Sequence, residues 1–220
     1  MNRNTNTNDT TLNVNKEKGK LSYLALGDSY TIGESVETAL NFPNQLVAQL
    51  SGNGLAVAAP RIIARTGWTT SELTSAIGSS GVAGKFNFVT LLIGVNNQYR
   101  GESLEAYRKE FKQLLQTAID FANNDKAHVF VISIPDWSVT PFAQTSDRDQ
   151  AAISTEINAF NAVNRQETLA LGITYIDITP ASRMAATDTT LVASDGLHPS
   201  AKMYKDWAVN TAAAILDAFK

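Results

Sequence analysis

Short apolar runs recur along this chain, and polar residues barely interrupt them. Residues 21–27, 86–94, 129–134 and 173–178 carry apolar or β-branched side chains at most positions, and 55–65 adds another run, broken by Pro60. A strand that is apolar along its whole length is buried on both faces. That is the condition of a parallel sheet covered by helices, not of a sheet with one wet side. The intervening segments supply the helices: 43–50, 69–77, 103–123, 150–171 and 200–219 place apolar residues at helical spacing. Within 103–123, Leu104, Tyr107, Phe111, Leu114, Leu115 and Ala118 form one stripe, and Thr69 or Thr70 ahead of Glu72 marks a helix start.

Strands alternating with helices predict an α/β fold. Five such strands predict a flavodoxin-like three-layer α/β/α sandwich around a five-stranded parallel sheet. A chain of 220 residues suits one domain, expected over 21–220. Residues 1–20 are rich in Asn, Thr and Lys, lack the apolar core of a signal peptide, and read as a disordered leader. The absence of cysteine excludes disulfides, a thiolate nucleophile and a Cys-based metal site. A net charge of -3 with no basic patch argues against a nucleic-acid partner. The longest apolar run, 86–95, is interrupted by Asn87 and Thr90 and is too short to span a bilayer. A soluble protein is expected, with its compartment and oligomeric state left open.

Ligands of such sheets sit beyond the carboxyl ends of the strands. Four segments are expected on that edge: Gly27-Asp28-Ser29-Tyr30, Arg65-Thr66-Gly67-Trp68, Gly94-Val95-Asn96-Asn97, and Asp195-Gly196-Leu197-His198-Pro199 before the last helix. Acyl transfer explains this set of residue types. A serine hydroxyl needs an imidazole to take its proton. The imidazole needs a carboxylate to orient it. The developing oxyanion needs fixed donors, such as backbone N–H groups beside glycine and a side-chain amide. Ser29, His198, Asp195, Gly67 and Asn96 supply these parts. Asp195 and His198 stand three apart, so one turn can aim both at Ser29, and Pro199 is expected at the first helical position.

In their order and placement these segments resemble the four sequence blocks of the GDSL/SGNH hydrolases, over about residues 21–219. The resemblance implies the SGNH hydrolase fold and a Ser29–His198–Asp195 ester hydrolase with neither metal nor cofactor. It also implies an oxyanion hole made by the Ser29 and Gly67 N–H groups and the Asn96 amide. Two positions depart from the pattern. Tyr30 stands where the family has Leu, and Asn97, which carries no charge, stands where Asp is usual.

Several residues have two readings. Asp28 is read as holding the nucleophile turn and not as the triad acid. Trp68 and Trp137, with Tyr99 and Phe142, fall in site-side loops, where aromatic residues either line a substrate pocket or cap the core. Arg100 either meets an anionic group or is simply solvated. His128, at the start of a strand, reads as structural. The stretch 136–149 is expected to be a long loop.

The function expected is hydrolysis of a small-molecule carboxylic ester with a short- to medium-chain acyl group. Carbohydrate O-deacetylase, lysophospholipase and thioesterase activities run on the same machinery, as does acyl transfer to an alcohol. A non-catalytic, flavodoxin-like binding module is the reading outside enzymology; residues 27–33 could mimic a phosphate loop but lack its Lys and spacing. For the esterase, kcat/KM should rise with pH as His198 becomes neutral and able to act as the base.

Overall fold

The computed structural model describes residues 19–220. The expected leader therefore lies, except for its last two residues, outside the described residues. In chain order the elements are β1 (Tyr23–Gly27), α1 (Ser29–Ile32), α2 (Phe42–Gly52), β2 (Arg61–Ala64), α3 (Thr70–Ser79), β3 (Phe88–Leu92), α4 (Val95–Tyr99) and α5 (Leu104–Phe121). They continue with β4 (Val129–Ile132), α6 (Pro141–Thr145), α7 (Gln150–Ala170), β5 (Thr174–Ile176), α8 (Thr179–Ser182) and α9 (Ala201–Ala218), with short 3-10 turns between.

All five strands are parallel, in the order β2-β1-β3-β4-β5. This is the strand order of the flavodoxin-like architecture expected, the order itself being supplied by the structure. Every residue of β1, β3 and β4 is buried, whereas β2 and β5, at the edges, are partly exposed. Helices α2 and α9 pack on each other, and α5 packs with α3 and α7. Across the sheet, Tyr23 stacks on Phe88 with ring centroids 4.4 Å apart, and Phe88 meets Phe219 at the end of α9. His128 stacks on Phe219 at 4.3 Å, in keeping with its structural reading.

Local chemistry sets the helix ends. The Thr69 side chain accepts from the Glu72 N–H while Glu72 accepts from the Thr69 N–H, a reciprocal cap at the start of α3. Asn41, Ser103, Asp149 and Ser200 cap α2, α5, α7 and α9.

Three expectations change. The run 55–65 is a strand only at Arg61–Ala64. Pro60 has no N–H to continue the ladder, and ahead of it only Val57 pairs, as a bridge to Leu21. The stretch 136–149 is not one loop: a 3-10 turn at Trp137–Val139 and helix α6 occupy it, capped by Asp136 and Thr140. Pro199 precedes the cap Ser200 instead of opening α9, and is buried where it bridges Val192.

The order of strands positions everything that follows. The chain leaves β1 for β2 on one side and returns to β3 on the other, so a crevice opens beyond the carboxyl ends of β1 and β3.

Candidate active site

Ser29 is the first residue of α1, immediately beyond β1. Asp28 caps this short helix through Oδ1, which accepts from the Tyr30 N–H at 3.0 Å, and Gly33 ends it in the left-handed conformation. The turn from strand to helix is tight. A Cβ on Gly27 would stand 2.0 Å from Thr31 Oγ1 and 2.4 Å from the Leu92 carbonyl oxygen, so only glycine fits. Asp28 is buried, and its Oδ2 has no hydrogen-bond partner among the described residues. Burial pushes its carboxyl up to about 7, against the opposing pull of the Tyr30 N–H.

From the far end of the chain, the turn before α9 brings Asp195 and His198 to the same place. Asp195 Oδ1 accepts from the N–H groups of Leu197 and His198, both at 2.9 Å, which folds the turn over Gly196. Asp195 Oδ2 lies 2.6 Å from His198 Nδ1, and His198 Nε2 lies 3.0 Å from Ser29 Oγ. Tyr30 meets the imidazole edge-on, with ring centroids 5.5 Å apart. Burial of Asp195 would raise its carboxyl. Hydrogen bonds from Ser35, the Leu197 and His198 N–H groups and the His198 ring prevail and hold it at about 2.

Ser35 carries no sequence signal for this role. Its Oγ donates to Asp195 Oδ2 at 2.6 Å across 160 residues of chain. Ser35 also adopts φ +64°, a left-handed conformation that is unfavourable for a residue with a Cβ. A strained serine bonded to the carboxylate behind the imidazole shows only in three dimensions.

Gly67 and Asn96 reach the same crevice from β2 and β3. No hydrogen bond from the Ser29 or Gly67 N–H occurs among the described residues. Gly67 takes φ +84° with open space around a would-be Cβ, so backbone conformation, not crowding, calls for glycine there. The Asn96 amide donates one proton to the Trp68 carbonyl at 2.9 Å. Arg100 is neither free nor aimed at the crevice: Nη2 donates to the Gly67 carbonyl at 2.5 Å, and Nη1 sits 3.2 Å from Glu72.

A cavity of about 240 Å³ opens over Ser29, Gly67, Asn96 and His198. Val95, Tyr99, Trp137, Phe142 and Leu197 form its apolar wall, and among the described residues no Asp, Glu, Lys or Arg lines it. The two tryptophans part company. Trp137 lines the cavity and is held from behind: its Nε1 donates to Gln98 Oε1 at 2.9 Å, and the Arg148 guanidinium lies 5.8 Å from its ring centre. Trp68 does not line the cavity. It packs against the core, and its contribution to the crevice is the carbonyl that holds Asn96. Among the described residues, no cluster of His, Asp and Glu is arranged to hold a metal ion, and no helix is long and apolar enough to cross a membrane.

The sequence profile of the GDSL-like lipase/acylhydrolase family matches residues 25–205. The chain belongs to this family of hydrolases. No protein of curated function matches it at the sequence level. Solved structures share its fold. The lipase/acylhydrolase from Enterococcus faecalis is 20% identical with a TM-score of 0.70, the alignment covering 89% of this chain and 95% of that one. The psychrotrophic esterase EstA from Pseudoalteromonas sp. is 13% identical with a TM-score of 0.66, covering 90% and 98%. The acetylxylan esterase Axe2 from Geobacillus stearothermophilus is 17% identical with a TM-score of 0.64, covering 90% and 93%.

Proposed function

We propose that this protein hydrolyses carboxylic esters with short- to medium-chain acyl groups through an acyl-enzyme formed on Ser29. The observation that carries the reading is the unbroken chain from Ser29 Oγ to His198 Nε2 at 3.0 Å and from His198 Nδ1 to Asp195 Oδ2 at 2.6 Å. Ser29 Oγ attacks the carbonyl carbon as Nε2 takes its proton, while Nδ1–H donates to ionised Asp195, which stabilises the imidazolium. The oxyanion receives the N–H groups of Ser29 and Gly67 and the second amide proton of Asn96. His198 then protonates the departing alcohol. Water, deprotonated in turn by His198, attacks the acyl-enzyme and releases the acid and Ser29.

The cavity supports the choice of substrate. At about 240 Å³ it lies below the usual size of drug-binding pockets, which suits a small acyl group. Its aromatic wall and lack of charged lining favour an apolar acyl chain over an anionic one. Trp137 is the wall residue assigned to chain length.

The test is hydrolysis of p-nitrophenyl esters from acetate to palmitate by the wild type and by Ser29→Ala. Turnover highest on short to medium chains and lost in the variant is expected. Turnover that survives in Ser29→Ala would refute the nucleophile. An optimum at palmitate would refute the reading of the cavity.

A further inference from the structure

Asn97 follows the proposed oxyanion donor Asn96, but it points away from the crevice and is completely buried. Every polar atom of its side chain is used. Oδ1 accepts from the Thr70 N–H at 3.1 Å, and Nδ2 donates to Thr70 Oγ1 and to Glu102 Oε2, both at 2.7 Å. Thr70 Oγ1 passes its own proton on to Glu110. One amide therefore serves two carboxylates, Glu102 directly and Glu110 through a hydroxyl. Neither glutamate has an ion-pair partner among the described residues.

This hub joins the two segments that carry the oxyanion donors. Thr70 opens α3 directly after the loop bearing Gly67, and Asn97 lies in α4 next to Asn96. Two further ties cross the same seam, from Asn96 to the Trp68 carbonyl and from Arg100 to the Gly67 carbonyl. The Arg100 tie is half solvated, with 46% of the side chain exposed, whereas the Asn97 tie is dry. Hydrogen bonds sheltered from water hold geometry more firmly than solvated ones.

We propose that Asn97 is the positioning residue of the oxyanion hole, its buried amide fastening the Gly67 loop to the helix that carries Asn96; this rests on the esterase reading above. Beside Glu102 and Glu110 the role in this chain needs an amide, although Asp is usual at the position in the family. Aspartate is nearly the same shape and still accepts from the Thr70 N–H, but it supplies no proton for Glu102 and leaves the Thr70 hydroxyl as the one side-chain donor among three carboxylates. Like charges at this distance accept burial only by sharing a proton, so the aspartate variant should work better in acid than at neutral pH. Changing Glu102 to glutamine at the same time restores a donor and reverses the polarity of that bond.

The experiment measures kcat and KM for p-nitrophenyl butyrate from about pH 5 to about 9, with thermal melting of each full-length protein. Asn97→Asp should lose about ten-fold to a hundred-fold in kcat at neutral pH with KM little changed, as expected for displaced oxyanion donors. The deficit should shrink toward acid pH. Asn97→Asp with Glu102→Gln should recover most of kcat and the wild-type pH profile. Glu102→Ala, at a half-buried surface position that should tolerate it, keeps the test open if Asn97→Asp does not fold; it should lower kcat by about three-fold as the amide loses an acceptor. Unchanged kcat in Asn97→Asp or in Glu102→Ala would overturn the proposal, as would a pH-independent loss that Glu102→Gln does not relieve. Ser29→Ala, run alongside, separates the two readings. Turnover surviving in it refutes the esterase mechanism. Turnover lost in it, with Asn97→Asp fully active, refutes the positioning role alone.

Discussion

Replacing Asp28 with asparagine should flatten the pH dependence of stability, and the size of the effect follows from the burial of this one carboxyl. In the folded protein Asp28 holds its proton up to about 7, whereas an ordinary aspartate has the value 3.8. Below that ordinary value both folded and unfolded chains are protonated, and the stability linked to Asp28 is fully present. As pH rises toward 7 the unfolded chain ionises first, binds fewer protons than the folded one, and is favoured. The loss is complete once the folded carboxyl has also ionised. About three pH units at about 1.4 kcal/mol each set a ceiling of about 4 kcal/mol. Asparagine keeps the Oδ1 acceptor for the Tyr30 N–H and serves as well as aspartate at a helix N-cap. Urea unfolding of wild type and Asp28→Asn at intervals from about pH 4 to about 8 provides the assay. The stability of the wild type relative to the variant should fall steadily with rising pH. A constant offset would reflect the unpaired amide alone, so only the slope is diagnostic. Parallel curves would mean that Asp28 ionises alike in both states and would refute the reasoning.

Three other outcomes are expected. Ser35→Ala removes a hydrogen bond to ionised Asp195, worth about 1.5 kcal/mol for a charged acceptor at an exposed position, and should lower kcat/KM several-fold without loss of fold, checked by ester kinetics across pH; an unchanged profile would mean the bond does not bear on His198. Trp137→Ala should shift the optimum in the p-nitrophenyl ester series toward longer acyl chains and destabilise the protein by about 3 kcal/mol, measured by denaturant unfolding; an unmoved optimum would remove Trp137 from the acyl wall. Gly27→Ala should abolish soluble, folded protein, because its Cβ would meet the Leu92 backbone oxygen at 2.4 Å and backbone cannot step aside as a side chain can; a variant melting like the wild type would show that the strand-to-helix turn has slack.

Much of this protein was legible in the sequence because the decisive signals are local. Continuous apolar runs such as 129–134 report burial on both faces whatever their neighbours are. Helical stripes and caps, such as Thr69 with Glu72, are complete within a few residues. The spacing of Asp195 and His198 is likewise a property of one turn, and the structure closes that turn with the Asp195 Oδ1 bonds. Where local signals conflicted, boundaries slipped: Pro60 cut the second run short, and turn-capping by Asp136 and Thr140 ordered a stretch whose composition reads as loop.

What the tertiary structure alone decided is adjacency between segments far apart in the chain. The strand order β2-β1-β3 brings the ends carrying Gly67, Ser29 and Asn96 to one crevice, and no periodicity encodes an order of strands. The same holds for Ser35 against Asp195, for Asn97 against Thr70, and for the separation of Trp137, in the cavity wall, from Trp68, against the core. Patterning depends on which face of an element is buried, and a few residues suffice to state it. Which partner buries that face depends on how the whole chain packs around its sheet.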